Sequence, residues 1–265
     1  MTKLPFTRPS LGEEEYSAVR EVLESGWLTS GPRVLELEKK LAEYIGGGVD
    51  VRLFMSATAA LEATLVAWGI GPGDEVIVPA MSFVASANVV VRVGAKPVLV
   101  DVELESRNLT AELIEPVITE ETRAIIPVHF AGMPVDLEPI YRLAERKQLL
   151  VLEDAAQAIG TKYQEREIGA SGNPVAFSFH PNKNMTTIEG GAIASNDSQL
   201  IKQLESIRFH GIARDAQGDM MVESWGGKMN LPDVNATIGL TQLKKLDGFN
   251  ARRRLLADRY FASLP

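Results

Sequence analysis

Short apolar runs recur through the middle of this chain, and amphipathic stretches of helical length fill the intervals. Glu75–Val78, Pro97–Val100, Ala124–Val128 and Leu149–Leu152 are rich in Val, Ile and Leu and show no polar alternation. Runs of that kind predict strands covered on both sides. Ala57–Trp68, Val84–Val93 and Leu137–Lys147 read as helices, and Gly71-Pro72-Gly73-Asp74 and Gly94-Ala95-Lys96-Pro97 read as the turns between elements. Strand alternating with helix predicts an α/β fold whose mostly parallel sheet carries helices on both faces. The first fifty residues add helical segments at Glu13–Ser25 and Val34–Ile45, closed by Gly26 and Gly46-Gly47-Gly48. A last helical pattern over Asp233–Leu264, striped by Leu240, Leu243 and Leu246, runs to the chain end at Pro265.

Composition narrows the classes of chemistry. The 265 residues are 45 % hydrophobic and 23 % charged with a net charge of −8, which fits a globular protein with a sizeable core and argues against nucleic acid as a partner. Cysteine is absent, so disulfides, thiol nucleophiles and thiolate metal ligands are excluded together. His129, His180 and His210 are too widely spaced for a helical metal-ligand motif, and no metal is expected. Met1–Phe6 lacks the apolar stretch of a signal peptide, and no run of about 18 apolar residues follows. The expectation is a cytoplasmic protein of enzyme size.

In a parallel sheet, ligands gather beyond the carboxyl ends of the strands, so the residues that follow the apolar runs carry the chemistry. Leu149–Leu152 leads into Glu153-Asp154-Ala155-Ala156-Gln157, and Val175–Phe179 leads into His180-Pro181-Asn182-Lys183, 29 residues beyond Asp154. A lysine past one strand and an aspartate past another suit a cofactor held as a Schiff base whose ring nitrogen needs an anionic partner. That is the chemistry of pyridoxal 5′-phosphate. A helix cap or a structural ion pair is the plainer role for Asp154. Gln157 faces the same way as Asp154 if the segment turns helically, within reach of a ring hydroxyl.

Ser56-Ala57-Thr58-Ala59 follows Val51–Met55 and opens a helix with small residues. Free N–H groups at Ala57 and Thr58, with the Thr58 hydroxyl, suit a phosphate; an ordinary Ser or Thr cap is the simpler reading. Phe83 opens the helix after a strand run, where an aromatic either stacks on a ligand ring or fills the core. Ser178 stands five residues before Lys183, as a further phosphate hydroxyl or a plain strand serine. Gly190-Gly191 permits close backbone approach. Gly69-Ile70-Gly71-Pro72-Gly73 follows a helix and contains proline, so it is a turn and not a dinucleotide loop.

Taken in order, these segments resemble the DegT/DnrJ/EryC1/StrS family of sugar aminotransferases. The resemblance rests on Leu23-Glu24-Ser25-Gly26-Trp27, Ser56-Ala57-Thr58-Ala59, Ile126-Pro127-Val128-His129, Glu153-Asp154-Ala155-Ala156 and Phe177-Ser178-Phe179-His180. It continues through Lys183-Asn184-Met185-Thr186, Glu189-Gly190-Gly191, Phe209-His210-Gly211 and Asn230-Leu231-Pro232-Asp233-Val234-Asn235-Ala236. It is strongest toward the members that make UDP-4-amino-4-deoxy-L-arabinose from the 4-keto sugar.

The resemblance implies the fold-type-I aminotransferase architecture: a mostly parallel seven-stranded sheet flanked by helices, with a small C-terminal domain that is truncated here. Residues 1–240 are then the large cofactor-binding domain with its N-terminal helical segment, and 241–265 begin the helix leading to the small domain. The resemblance further implies a homodimer with shared active sites. Lys183 is the Schiff-base lysine, Asp154 meets the pyridine nitrogen, Phe83 stacks on the ring and Gln157 lies on its hydroxyl side. Ala57, Thr58 and Ser178 hold the phosphate, joined by Asn230 across the dimer. The implied reaction moves the amino group of L-glutamate to a nucleotide-linked keto sugar, a UDP-4-keto-pentose or similar 4-keto sugar, for cell-envelope or lipopolysaccharide synthesis. Two alternatives stand beside it. A dehydratase of the same fold replaces the lysine with histidine, so Lys183 argues against it. A truncated, non-catalytic or regulatory relative that binds the cofactor is the other.

Overall fold

The computed structural model describes residues 5–215 and 217–264. Two helices come first, α1 (Glu13–Ser25) and α2 (Pro32–Ile45). Strand and helix then alternate through β1 (Asp50–Phe54), α3 (Ala57–Ala67), β2 (Glu75–Pro79), α4 (Ala85–Arg92) and β3 (Lys96–Val100). The short α5 (Ala111–Ile114) leads to β4 (Thr122–Ile125), α6 (Leu137–Lys147), β5 (Leu150–Val151) and β6 (Glu153–Asp154). A small hairpin, β7 (Lys162–Tyr163) and β8 (Arg166–Glu167), precedes β9 (Val175–Ser178) and β10 (Gly191–Ser195). The chain closes with α7 (Ser198–Ile207), the hairpin β11 (Ile212–Arg214) and β12 (Met220–Val222), and α8 (Asp233–Ser263).

β5 and β6 are one strand interrupted at Leu152. The Leu152 amide still donates to Ile125 O at 3.0 Å and the Asp154 amide to Pro127 O at 2.8 Å, so the two four-stranded sheets on either side join into one. The joined order is β3-β2-β4-β5/β6-β9-β10-β1, seven strands that are parallel except for β10, which runs against both of its neighbours. This is the mostly parallel seven-stranded sheet that the resemblance implies. The Ala124–Val128 run differs in its bounds. The regular strand starts at Thr122 and stops at Ile125, because Pro127 has no N–H to give, although Val128 still bridges to Asp154.

Side chains alternate across the sheet, and each face builds its own core. Leu53, Ile77, Ile125, Phe177 and Ala192 point toward α2, α6 and α8, where Leu37, Leu41, Ile140 and Leu246 meet them. Phe54, Val76, Val78, Leu152, Ala176 and Ile193 point the other way, toward α3, α4 and α7. α3 is apolar on nearly every side, as suits a helix packed against the sheet, α4 and α7 at once.

α8 organises the second layer. Its first-turn Asp233 accepts hydrogen bonds from the amides of Gly31, Arg33 and Val34 at 2.8–3.1 Å and so caps the start of α2. Its buried positions, from Asp233 to Leu246, lie in the proximal half. Distally Leu255, Leu256, Tyr260 and Phe261 are exposed. No helix among the described residues is long and apolar enough to cross a membrane.

Candidate active site

Asp154 and Glu153 are neighbours in sequence and opposites in space. Strand alternation sends Glu153 to the α6 face, where it is fully buried against His129 (Nε2 to Oε2, 2.9 Å) and the Tyr141 hydroxyl. His129 Nδ1 accepts from the Val135 amide at 3.1 Å, which places the ring proton on Nε2, donating to the carboxylate. Burial first, and then the nearby Glu153 charge, push the Tyr141 phenol up. Asp154 turns instead toward α3 and α4. It is 5 % exposed, its Oδ1 accepts from the Ala156 amide at 3.1 Å, and its Oδ2 accepts from Ser86 Oγ at 2.8 Å.

Lys183 stands on the loop that joins β9 to β10. Phe179 N donates to Gly190 O and Thr187 N to Phe179 O, at 2.9 and 3.0 Å, which pins the base of the loop. α8 grips it from outside: Asn235 donates to Thr187 O and Glu189 O at 2.7 and 3.1 Å. Further along the same helix, Asn250 accepts from Asn184 Nδ2 at 2.9 Å, and Arg253 donates to the carbonyl oxygens of Asn184 and Lys183 at 3.2 and 3.5 Å. Partial burial pulls the Lys183 ammonium below the ordinary lysine range, while the Asp154 carboxylate pushes it back up. The two residues therefore share one electrostatic site, and burial is the larger effect. A lysine so placed is more readily a neutral amine, the form that attacks a carbonyl.

The α3 terminus completes the arrangement. Ser56 is its N-cap and accepts from the Ala59 amide at 3.1 Å. Among the described residues the amides of Ala57 and Thr58 make no hydrogen bond, so they remain as donors at the positive end of the helix. Gly191 packs against this turn so closely that an added Cβ would lie 2.2 Å from the Ala57 nitrogen. Ser178 pairs with Gly191 across the sheet and lies on the same face, with its Oγ accepting only a long 3.5 Å contact from the His180 amide. An amine, a buried carboxylate, and a cradle of amides and hydroxyls fit the aldehyde, ring nitrogen and phosphate of pyridoxal phosphate.

The remaining predicted residues are less closely gathered. Phe83 sits two residues before α4 and is 69 % exposed, so it is a free aromatic and not core. Gln157 lies in a turn and not a helix; its Oε1 accepts from the Ala131 amide at 2.9 Å, which leaves Nε2 as the donor end. Asn230 bridges to Phe54, two strands from Ser178's partner Gly191 counted outward through β1, and its side chain is held by Ser30 and Lys228. At about 4.8 Å per strand, that line puts it about 14 Å from Ser178 in its own chain. A cleft of about 1080 Å³ lies between α7, β11–β12 and the Thr29–Ser30 segment and includes Asn230 but neither Lys183 nor Asp154. The lysine–carboxylate pair marks the chemistry more surely than cleft size does. Ser86 is the site residue that sequence reasoning missed. Its only hint is the spacing of Ser82 and Ser86, four residues apart and so on one side of a helical turn.

Comparison with known proteins agrees with this geometry. The profile of the DegT/DnrJ/EryC1/StrS aminotransferase family matches residues 9–265. Spr1654 of Streptococcus pneumoniae, assigned as a sugar aminotransferase and solved in its PMP form, is 34 % identical. The match covers 98 % of this chain and 72 % of that one, with a TM-score of 0.93. Helicobacter pylori PseC, an aminotransferase involved in the biosynthesis of pseudoaminic acid, is 34 % identical over 100 % of this chain and 72 % of its own, with a TM-score of 0.91. DesV from S. venezuelae is 37 % identical over 95 % and 68 %, with a TM-score of 0.90. With its seven-stranded sheet, its strand-end lysine and aspartate, and its open helix terminus, the chain belongs to the DegT/DnrJ/EryC1/StrS family of sugar aminotransferases, whose cofactor is pyridoxal 5′-phosphate.

Proposed function

We propose that this protein transfers the amino group of L-glutamate to the keto group of a nucleotide-linked sugar, a UDP-4-keto-pentose or similar 4-keto sugar. The setting is cytoplasmic synthesis of cell-envelope or lipopolysaccharide sugars. The observation that carries the reading is the half-buried Lys183, its ammonium disfavoured by burial, in the field of the buried Asp154 carboxylate. Pyridoxal phosphate supplies a carbonyl carbon for the amine and a ring that accepts electrons from a carbanion.

The chain's own residues do the rest. Lys183 Nζ would hold the cofactor and, as a free amine, would take the proton from the donor α-carbon. Asp154 holds a proton on the ring nitrogen. Gln157 Nε2 donates to the ring hydroxyl and Phe83 covers one ring face. The Ala57 and Thr58 amides, the Thr58 hydroxyl and Ser178 bind the phosphate, with Asn230 contributed across a homodimer. Residues 1–240 are the cofactor-binding domain in this reading, and 241–265 begin the helical lead toward the small C-terminal domain.

The test is spectroscopic. Purified protein loaded with pyridoxal phosphate is titrated with L-glutamate while the cofactor absorbance is followed. The expected result is conversion to the pyridoxamine spectrum in the unaltered protein and none in Lys183→Ala. Conversion by Lys183→Ala without added amine, or a static spectrum in the unaltered protein, overturns the reading.

A further inference from the structure

Asp154 does not stand alone on its face of the sheet. Ser86, 1 % exposed in the first turn of α4, has its Oγ 2.8 Å from Asp154 Oδ2. The Ser82 and Ser86 hydroxyls are likewise 2.8 Å apart. A hydroxyl has one proton to give, and an ionised carboxylate only accepts. The Ser86 proton therefore goes to Asp154, and Ser86 must accept from Ser82. The direction of the chain is thus fixed: Ser82 donates to Ser86, which donates to Asp154. With the Ala156 amide on Oδ1, each carboxylate oxygen takes one donor and keeps one open position, and the plane of the group is set from two sides. Serial donors polarise one another and strengthen the terminal bond. Ser82 also directly precedes Phe83, and the Ser86 amide donates to the Phe83 carbonyl at 3.2 Å. The relay therefore ties the segment carrying the exposed aromatic to the buried acid.

We propose that Ser86, primed by Ser82, is a positioning residue that fixes the Asp154 carboxylate in its plane toward the ring nitrogen of pyridoxal phosphate. This rests on the cofactor-binding reading of Asp154 and adds to it the group through which the fold sets that acid. Without the Ser86 donor, Asp154 Oδ2 loses the bond that sets the plane of the group, and its hydrogen bond to a protonated ring nitrogen weakens.

The experiment loads the protein with pyridoxal phosphate labelled with ¹⁵N in the ring and reads the ring-nitrogen chemical shift. The unaltered protein gives the signal of a protonated ring nitrogen. Ser86→Ala moves it toward neutral pyridine, Ser82→Ala moves it the same way by less, and Ser86→Thr returns it toward the starting position. A serine that merely packs α4 leaves the shift where it was, and that result overturns the inference. If Ser86→Ala does not fold, Ser82→Ala at its half-buried position decides the matter: an unmoved signal overturns the relay. Failure of the unaltered protein to take up cofactor defeats the functional reading and this inference together, whereas uptake with an unmoved signal in both alanine variants defeats only the inference.

Discussion

Lys183 carries a cost in the protein without cofactor. Its ammonium is disfavoured by burial more than it is favoured by Asp154, so its folded value lies below its unfolded one. Below the folded value the lysine is charged in both states and the cost is fully present. Between the two values the unfolded chain binds more protons, so stability rises with pH until the cost vanishes above the ordinary lysine value of about 10.4. Cofactor-free Lys183→Met is therefore expected to be more stable than the unaltered protein at pH 7, with the gap closing toward pH 10. Denaturant unfolding at both pH values checks this, and equal midpoints at pH 7 count against it. Lys183 and Asp154 were readable in the sequence because each follows an apolar run, and a strand end is a place that periodicity can find. Ser86 was not, because its partner lies 68 residues away and nothing local records that meeting.

β10 shows why elements can be harder to read than residues. Its sequence is Gly191-Ala192-Ile193-Ala194-Ser195, and all five residues are buried. Gly191 stands there because the start of α3 presses against the strand, Ala192 and Ala194 pack into the opposite core, and small residues give almost no strand signal. The Val-rich runs of β2 and β3 were legible; the hairpin of β11 and β12, three residues a strand, offered too little pattern. The same close contact makes Gly191 a sensitive point. A methyl at Gly191 would meet the backbone of Ser56 and Ala57 at 2.2–2.6 Å, and backbone does not yield as a flexible side chain does. Gly191→Ala is expected to lower stability by about 1–3 kcal/mol and to push the α3 amides out of place. Calorimetry with fluorescence titration of pyridoxal phosphate reads both effects, and an unchanged affinity would show that the phosphate lies elsewhere.

At the scale of the whole molecule, the sheet and its two cores are internal to the chain, while Asn230 lies beyond Gly191 and Phe54 from Ser178 along the sheet, and its proposed role is across a homodimer. Cofactor retention is accordingly expected to follow dimerisation. On sizing chromatography with absorbance detection, cofactor should travel with a dimer and be lost on dilution to monomer; a monomer that keeps its full complement removes Asn230 from the shared site.

α8 spans 31 residues, and its hold on the lysine loop at Asn235 and again at Asn250 and Arg253 sets a length standard. A helix advances about 1.5 Å and turns about 100° per residue, so the two grips stay on one side only while the number of residues between them is kept. The interval also carries buried positions, Ile238, Gln242 and Leu246 among them, and its length fixes their register together with that of the two grips. One residue gained or lost there would rotate the distal grip off the loop, so the helix measures out the position of Lys183 as a ruler does, by counting.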